Sequence, residues 1–167
     1  RFNRELLQTT FEHMSQGISV VDAEMRLVAW NRRYAELFDY PDGMLYVGRP
    51  IADLIRHNAE RGALGPGDIE EHVARRLAYM RAGSAHRHVR EDHDGQVLEM
   101  RGEPLPGGGF VMSFNDITEF KRAERALRVA NETLEDRVEQ RTFELKHSLK
   151  AQEEARRGQA DAAGVIR

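Results

Sequence analysis

Seven histidines and no cysteine set the chemistry open to this 167-residue chain. Without a thiol, disulfides, thiolate nucleophiles and cysteine-ligated metals are all excluded. The densest group of metal-capable side chains is His86, His88, Asp92, His93 and Asp94. Imidazoles at i and i+2 project from one face of a strand, and a third ligand would complete a transition-metal site. The same polar pattern suits the solvated edge of a sheet, where charge discourages pairing with another chain. We expect the edge role and no metal. Arg76 can hold a ligand carboxylate through its forked guanidinium, or lay its stem on the core with its head in water. No catalytic constellation emerges. Gly107-Gly108-Gly109 is not followed by the Lys and Ser or Thr of a phosphate loop, and it precedes a strand, not a helix. His147, in Leu145-Lys146-His147-Ser148, does not stand in a convincing phosphoacceptor context. This chain is not expected to be an enzyme.

The bulk properties narrow the class further. A net charge of −3 speaks against a nucleic-acid partner, whose backbone favours a basic patch. No apolar run approaches the roughly 20 residues that span a bilayer, so membrane insertion is not expected. The chain shows no signal peptide and begins at Arg1, which reads as a piece of a cytoplasmic protein.

The elements that must position these residues follow from periodicity. Residues 1–16 form an amphipathic helix, with Leu7, Phe11 and Met14 at i, i+4 and i+7 and Leu6 and Thr10 alongside. That stripe can cover the core or pair with its copy in a homodimer. Ile18–Asp22 and Arg26–Trp30 form a hairpin about a polar turn. Asn31 caps a short helix through Tyr34, Leu37 and Phe38, and Pro50 opens another that carries Leu54 and Ile55 inward. Asp68 with Glu71 makes a capping box for a third, whose stripe is Ile69, Val73, Leu77 and Met80. His72 lies about 95° from the centre of that stripe, which turns it to the rim or solvent. Asp94-Gly95 is a hairpin turn between strands Ala85–Glu91 and Gln96–Glu103. Phe110–Asn115 is the last strand, with Phe110, Met112 and Phe114 on one face. Asp116 with Glu119 then forms a capping box that starts a long helix directly after the strand. The fold class is α+β: one five-stranded antiparallel sheet with helices on one face, an N-terminal helix and a long C-terminal helix.

Within this frame several segments resemble a PAS domain. They are Gly17-Ile18-Ser19-Val20-Val21-Asp22, Leu27-Val28-Ala29-Trp30-Asn31, Tyr34 through Phe38, Glu60-Arg61-Gly62, Gly65-Pro66-Gly67-Asp68 and Gly107-Gly108-Gly109-Phe110. Asp116-Ile117-Thr118 resembles the triplet that closes many PAS domains at their output helix. The resemblance covers residues 17 to 120. It implies a cavity between sheet and helices, walled by Trp30, Tyr34, Phe38, Leu54, Arg76, Leu77, Met80, Met100, Met112 and Phe114. The cofactor stays unknown. The flavin adduct of light-sensing relatives needs a cysteine this chain lacks, and the position of His72 makes haem ligation an unfavoured alternative.

Beyond the domain, Leu134-Glu135-Asp136-Arg137-Val138 and Arg141-Thr142-Phe143-Glu144-Leu145 resemble the signalling helix that joins PAS domains to histidine kinase cores. The heptads stand independently of that resemblance. Ile117, Glu124, Asn131, Val138 and Leu145 share position a, and Phe120, Leu127, Leu134, Arg141 and Ser148 share position d. Leu at d with β-branched residues at some a positions suits a parallel two-stranded coil, and Asn131 would fix its register. Glu124 and Arg141 weaken the seam. The expected organisation is a helix over 1–16, a sensory domain over 17–115, a signalling helix over 116–157 and a tail over 158–167. The function expected is that of a sensory and dimerisation module of a bacterial two-component protein, with a small-molecule ligand and a kinase core downstream in the parent chain. The signal would pass through Asp116, Ile117, Thr118 and Glu119 to a homodimer seam of Phe120, Leu127, Asn131, Leu134, Val138 and Leu145. The rival is a constitutive dimerisation module with a filled core and no ligand.

Overall fold

The computed structural model describes residues 1–92 and 94–165; His93, and with it part of the His/Asp group above, lies outside them. The elements run α1 (Phe2–Glu12), β1 (Gly17–Val21), β2 (Leu27–Trp30), α2 (Arg32–Phe38), α3 (Ile51–Glu60), α4 (Ile69–Arg81), β3 (His86–Glu91), β4 (Val97–Pro104), β5 (Phe110–Asp116) and α5 (Thr118–Val165). They divide into two compact units, Arg1–Thr118 and a second that begins at Glu119. Among the described residues no helix is long and apolar enough to cross a membrane.

The five strands form one antiparallel sheet in the order β2-β1-β5-β4-β3. Directly opposed residues share a face, so the register decides what points inward. Phe110, Met112 and Phe114 oppose Val21, Ser19 and Gly17 on one side. On the other side they oppose Pro104, Gly102 and Met100. Val21, Met100, Phe110, Met112 and Phe114 pack with Tyr34 of α2, Ile51 and Leu54 of α3 and Met80 of α4 in a single core. Gly17 is a packing requirement: a Cβ there would lie 2.9 Å from Leu37 Cδ1 and 3.0 Å from Tyr34 Cα, so α2 could not sit down on β1.

Asn31 ties the entry of the domain together. It is fully buried, and its carboxamide oxygen accepts from Ile18 N at 2.8 Å and Tyr34 N at 3.1 Å. Its Nδ2 donates to Phe11 O at 3.0 Å and Gln16 O at 2.8 Å. One side chain thus caps α2 and binds the chain on both sides of the turn between α1 and β1. Every polar atom of the amide is used, which is what makes its burial tolerable.

Three expectations need correction. The apolar stripe of α1 does not cover the core: no residue of the helix is buried, and Phe2, Leu6 and Leu7 are more than half exposed. The capping box at Asp116 does not form, because β5 extends through Asp116 and α5 begins at Thr118, leaving Ile117 as the single residue between them. The helix also does not stop at Arg157. It continues through Gly158 and Gly164 to Val165, so residues 158–165 are helical. The 48 residues of α5 span about 72 Å at ~1.5 Å per residue.

Candidate functional site

Between the inner sheet face and α3 and α4 lies a cavity of about 780 Å³, within the range of small-molecule sites. Its apolar wall is Phe38, Leu54, Met80, Met100, Met112 and Phe114. Tyr34 packs at 5.4 Å from Phe114, and Phe38 meets the same ring edge-on at 5.0 Å. One polar region consists of Ser19, Tyr34 and Asn58. There the Tyr34 and Tyr40 hydroxyls lie 3.2 Å apart, and Asn58 Nδ2 donates to Tyr40 Oη at 2.8 Å. Burial pushes both phenols above their ordinary range, Tyr34 the further, so both stay neutral donors.

A second polar region is cationic. Arg76 of α4 reaches inward, its Nη1 donating to Met100 Sδ at 3.7 Å. Burial lowers its pKa, with Arg90 and Arg75 adding to the effect. His86 and His88 line the same region. His86 stacks on Phe110 at a ring separation of 5.5 Å, and burial, with Arg76, Arg90 and His86 as neighbours, lowers the pKa of His88.

Of the residues expected at the cavity, Tyr34, Phe38, Leu54, Arg76, Met80, Met100, Met112 and Phe114 line it. Trp30 and Leu77 do not; they are partly buried against the core instead. His72 stands at the mouth, where its Nε2 meets Pro66 O at 3.2 Å. The inward face of His86 and His88 escaped sequence reasoning for a definable reason. A two-residue Asp94-Gly95 turn would set Arg101 opposite His88. The loop instead closes with Asp92 N donating to Gln96 O at 2.9 Å, so that Met100 opposes His88 and Gly102 opposes His86. A shift of one residue exchanges the two faces. β3 is an edge strand with no buried residue, as its polarity suggests, and its histidines border the cavity while His88 stays exposed. Among the described residues no group of three or more His, Asp or Glu side chains is placed to hold a metal.

The exit from the sheet is tied to two strands at once. Asp116 Oδ1 accepts from Thr118 N at 3.0 Å and from the Thr118 hydroxyl, while Gln96 Nε2 donates to Oδ2 at 3.1 Å. Thr118 Oγ1 accepts from Val97 N at 2.9 Å, and Ile117 N donates to Val97 O at 2.9 Å. Burial alone would raise the Asp116 pKa, but the bonds from Thr118 and Gln96, with Arg33 nearby, hold it below the ordinary value. The first helical residue is therefore fixed to β4 as well as β5. Glu119 is exposed and takes no part in this knot.

Along α5, Phe120, Leu127, Leu134, Val138 and Leu145 are each more than half exposed. Glu124 at an a position pairs sideways with Lys121 at 2.8 Å, and Asn131 is exposed. His147 packs edge-on against Phe143 at 4.2 Å.

A sequence model of the family described as the PAS fold matches residues 11–125. No curated protein matches the chain. Among solved structures, the PAS domain of BvgS from Bordetella pertussis superposes with a TM-score of 0.50 at 18% identity, covering 80% of this chain and 99% of that one. A domain of a sensory box sensor histidine kinase/response regulator from Geobacter sulfurreducens gives a TM-score of 0.45 at 22% identity, covering 69% of this chain and 95% of the other. The PAS domain of an HTR-like protein from Haloarcula marismortui gives 0.46 at 22% identity, with 70% and 98% covered. At these identities the likeness is one of fold.

Proposed function

The chain belongs to the PAS fold family, and from that premise we propose that it is the sensory and dimerisation module of a cytoplasmic signal-transduction protein. A small molecule enters the cavity and changes the packing of Met100, Met112 and Phe114. The strands that carry these residues, β4 and β5, hold the start of α5 through Val97, Gln96 and Asp116. A second copy of the chain pairs along the heptads of α5, and a change in helix rotation or register passes down the seam. The recipient is a histidine kinase core in the parent chain. Energetically this is a population shift: the ligand moves the equilibrium by its difference in affinity for the two helix settings.

The observation that carries the reading is the hydrogen-bonded knot at Thr118. A helix that starts one residue after a strand, bonded to the neighbouring strand through backbone and side chain, has no slack to absorb a movement of the sheet. The cavity of about 780 Å³ supports a ligand-responsive module over a constitutive dimeriser, which would fill its core. The test is output of the parent protein, read as autophosphorylation. Asp116→Ala, Thr118→Val and a single residue inserted after Phe120 should each change its rate or its response. Unchanged output in all three would defeat the relay.

A further inference from the structure

Arg76 carries a question the fold leaves open. Long cationic side chains at a helix surface ordinarily run their stems over apolar groups and keep the charge in water. Arg76 does the reverse. Its guanidinium turns toward Met100, a residue only 1% exposed, and its single hydrogen bond among the described residues is to that thioether sulfur at 3.7 Å. A thioether is a weak acceptor, whereas a guanidinium offers five donors in a planar fork. The charged and polar groups that act on it electrostatically are Arg90, Arg75 and Tyr79. No carboxylate is among them.

The charges around the cavity can be counted. Arg90 shares the inner face of β3 with His86 and His88, and Asp92 neutralises it at 2.9 Å. Arg87 and Glu91 alternate to the other side of the strand yet both border the cavity, and Arg87 is held by Glu99. Arg75 is exposed. Burial first, and then the neighbouring Arg76 and Arg90, disfavour a further proton on His88. What remains is the Arg76 guanidinium, drawn inward with no carboxylate bonded to it among the described residues, beside an apolar wall that includes Leu54, Met80, Met100, Met112 and Phe114.

We propose that the cavity takes an amphipathic monocarboxylate, its carboxylate paired with the Arg76 fork and its apolar body against the methionines and Phe114. This rests on the ligand-binding reading above and specifies the chemistry. It assigns Arg76 the part of a specificity residue: a neutral isostere would fill the same space but leave the guanidinium unpaired.

Isothermal titration of the 167-residue chain with matched acid and primary amide pairs tests this, from hexanoate and hexanamide to 2-naphthylacetate and 2-naphthylacetamide. The acid of the best-fitting pair should bind about tenfold to a hundredfold tighter than its amide, the worth of a charge-assisted pair over a neutral one. Arg76→Met should abolish that preference while leaving amide affinity unchanged. Arg75→Met, an equal loss of charge on the same helix, should keep it. If Arg76→Met shows no cooperative thermal transition, Arg76→Gln carries the same comparison. Equal affinity for acid and amide in the wild-type chain, or a preference that survives at Arg76→Met, would overturn the monocarboxylate assignment and leave the cavity as a ligand site. Binding of no pair at all would overturn both.

Discussion

At the scale of single residues, the domain depends on polar side chains whose bonding is complete. Asn31 is the strongest case, because its amide satisfies two backbone donors and two carbonyls in the interior. Asn31→Ala would leave those groups without partners, and we predict a loss of about 3 kcal/mol from equilibrium urea unfolding. Asn31→Asp should not restore it, since a carboxylate cannot donate to Phe11 O and Gln16 O. Asp116 makes a different prediction. Its folded pKa lies below its ordinary value, so its contribution is fully present above the unfolded pKa and is lost as pH falls through the folded one. Asp116→Asn should therefore be less stable than wild type by about 1 kcal/mol at neutral pH. The gap in urea midpoint should narrow below about pH 4. A gap that is constant down to pH 3 would show that the charge contributes nothing.

At the scale of elements, what was legible depended on whether the signal was local. The caps at Asn31 and Asp68 form as the residue types suggest, with Tyr34 N and Glu71 N as their donors. The core stripe of α4 shows in its spacing because Val73 and Met80 fall on one face. Two features were hidden because they rest on tertiary choices. The register of the β3–β4 loop, one residue away from the turn that Asp94-Gly95 suggests, decides which face the histidines take. At Asp116, the carboxylate is taken up by Thr118 N, the Thr118 hydroxyl and Gln96 Nε2, and the partner from the β3–β4 loop is invisible in the local pattern. The α5 seam is periodic in sequence and exposed in the single chain, and its assignment to a second copy makes a prediction. If the proposed α5 dimer forms, Leu127→Glu with Leu134→Glu should convert it to a monomer in light-scattering chromatography without changing the far-ultraviolet signature of the PAS unit. A chain that remains dimeric would place the interface elsewhere, with the exposed Phe2, Leu6 and Leu7 of α1 the first place to look.

At the scale of the molecule, the proposed relay joins a cavity, a knot and a seam. The proposed path runs from Met100 on β4 to Val97 on the same strand, through the Thr118 hydroxyl, and into the first turn of α5. It makes no demand for catalysis by this chain. It requires only that two settings of the helix start lie within a few kcal/mol of each other, so that the binding energy of a small molecule suffices to choose between them. The absence of cysteine allows a direct measurement. Arg122→Cys places one spin label per protomer on the outer side of the heptad, and pulsed electron resonance then reads the distance between labels across the dimer. Met100→Trp, which adds bulk where a ligand would lie, should shift that distance distribution, and Thr118→Val added to it should remove the shift. The same distribution in Met100→Trp and its parent would contradict the account.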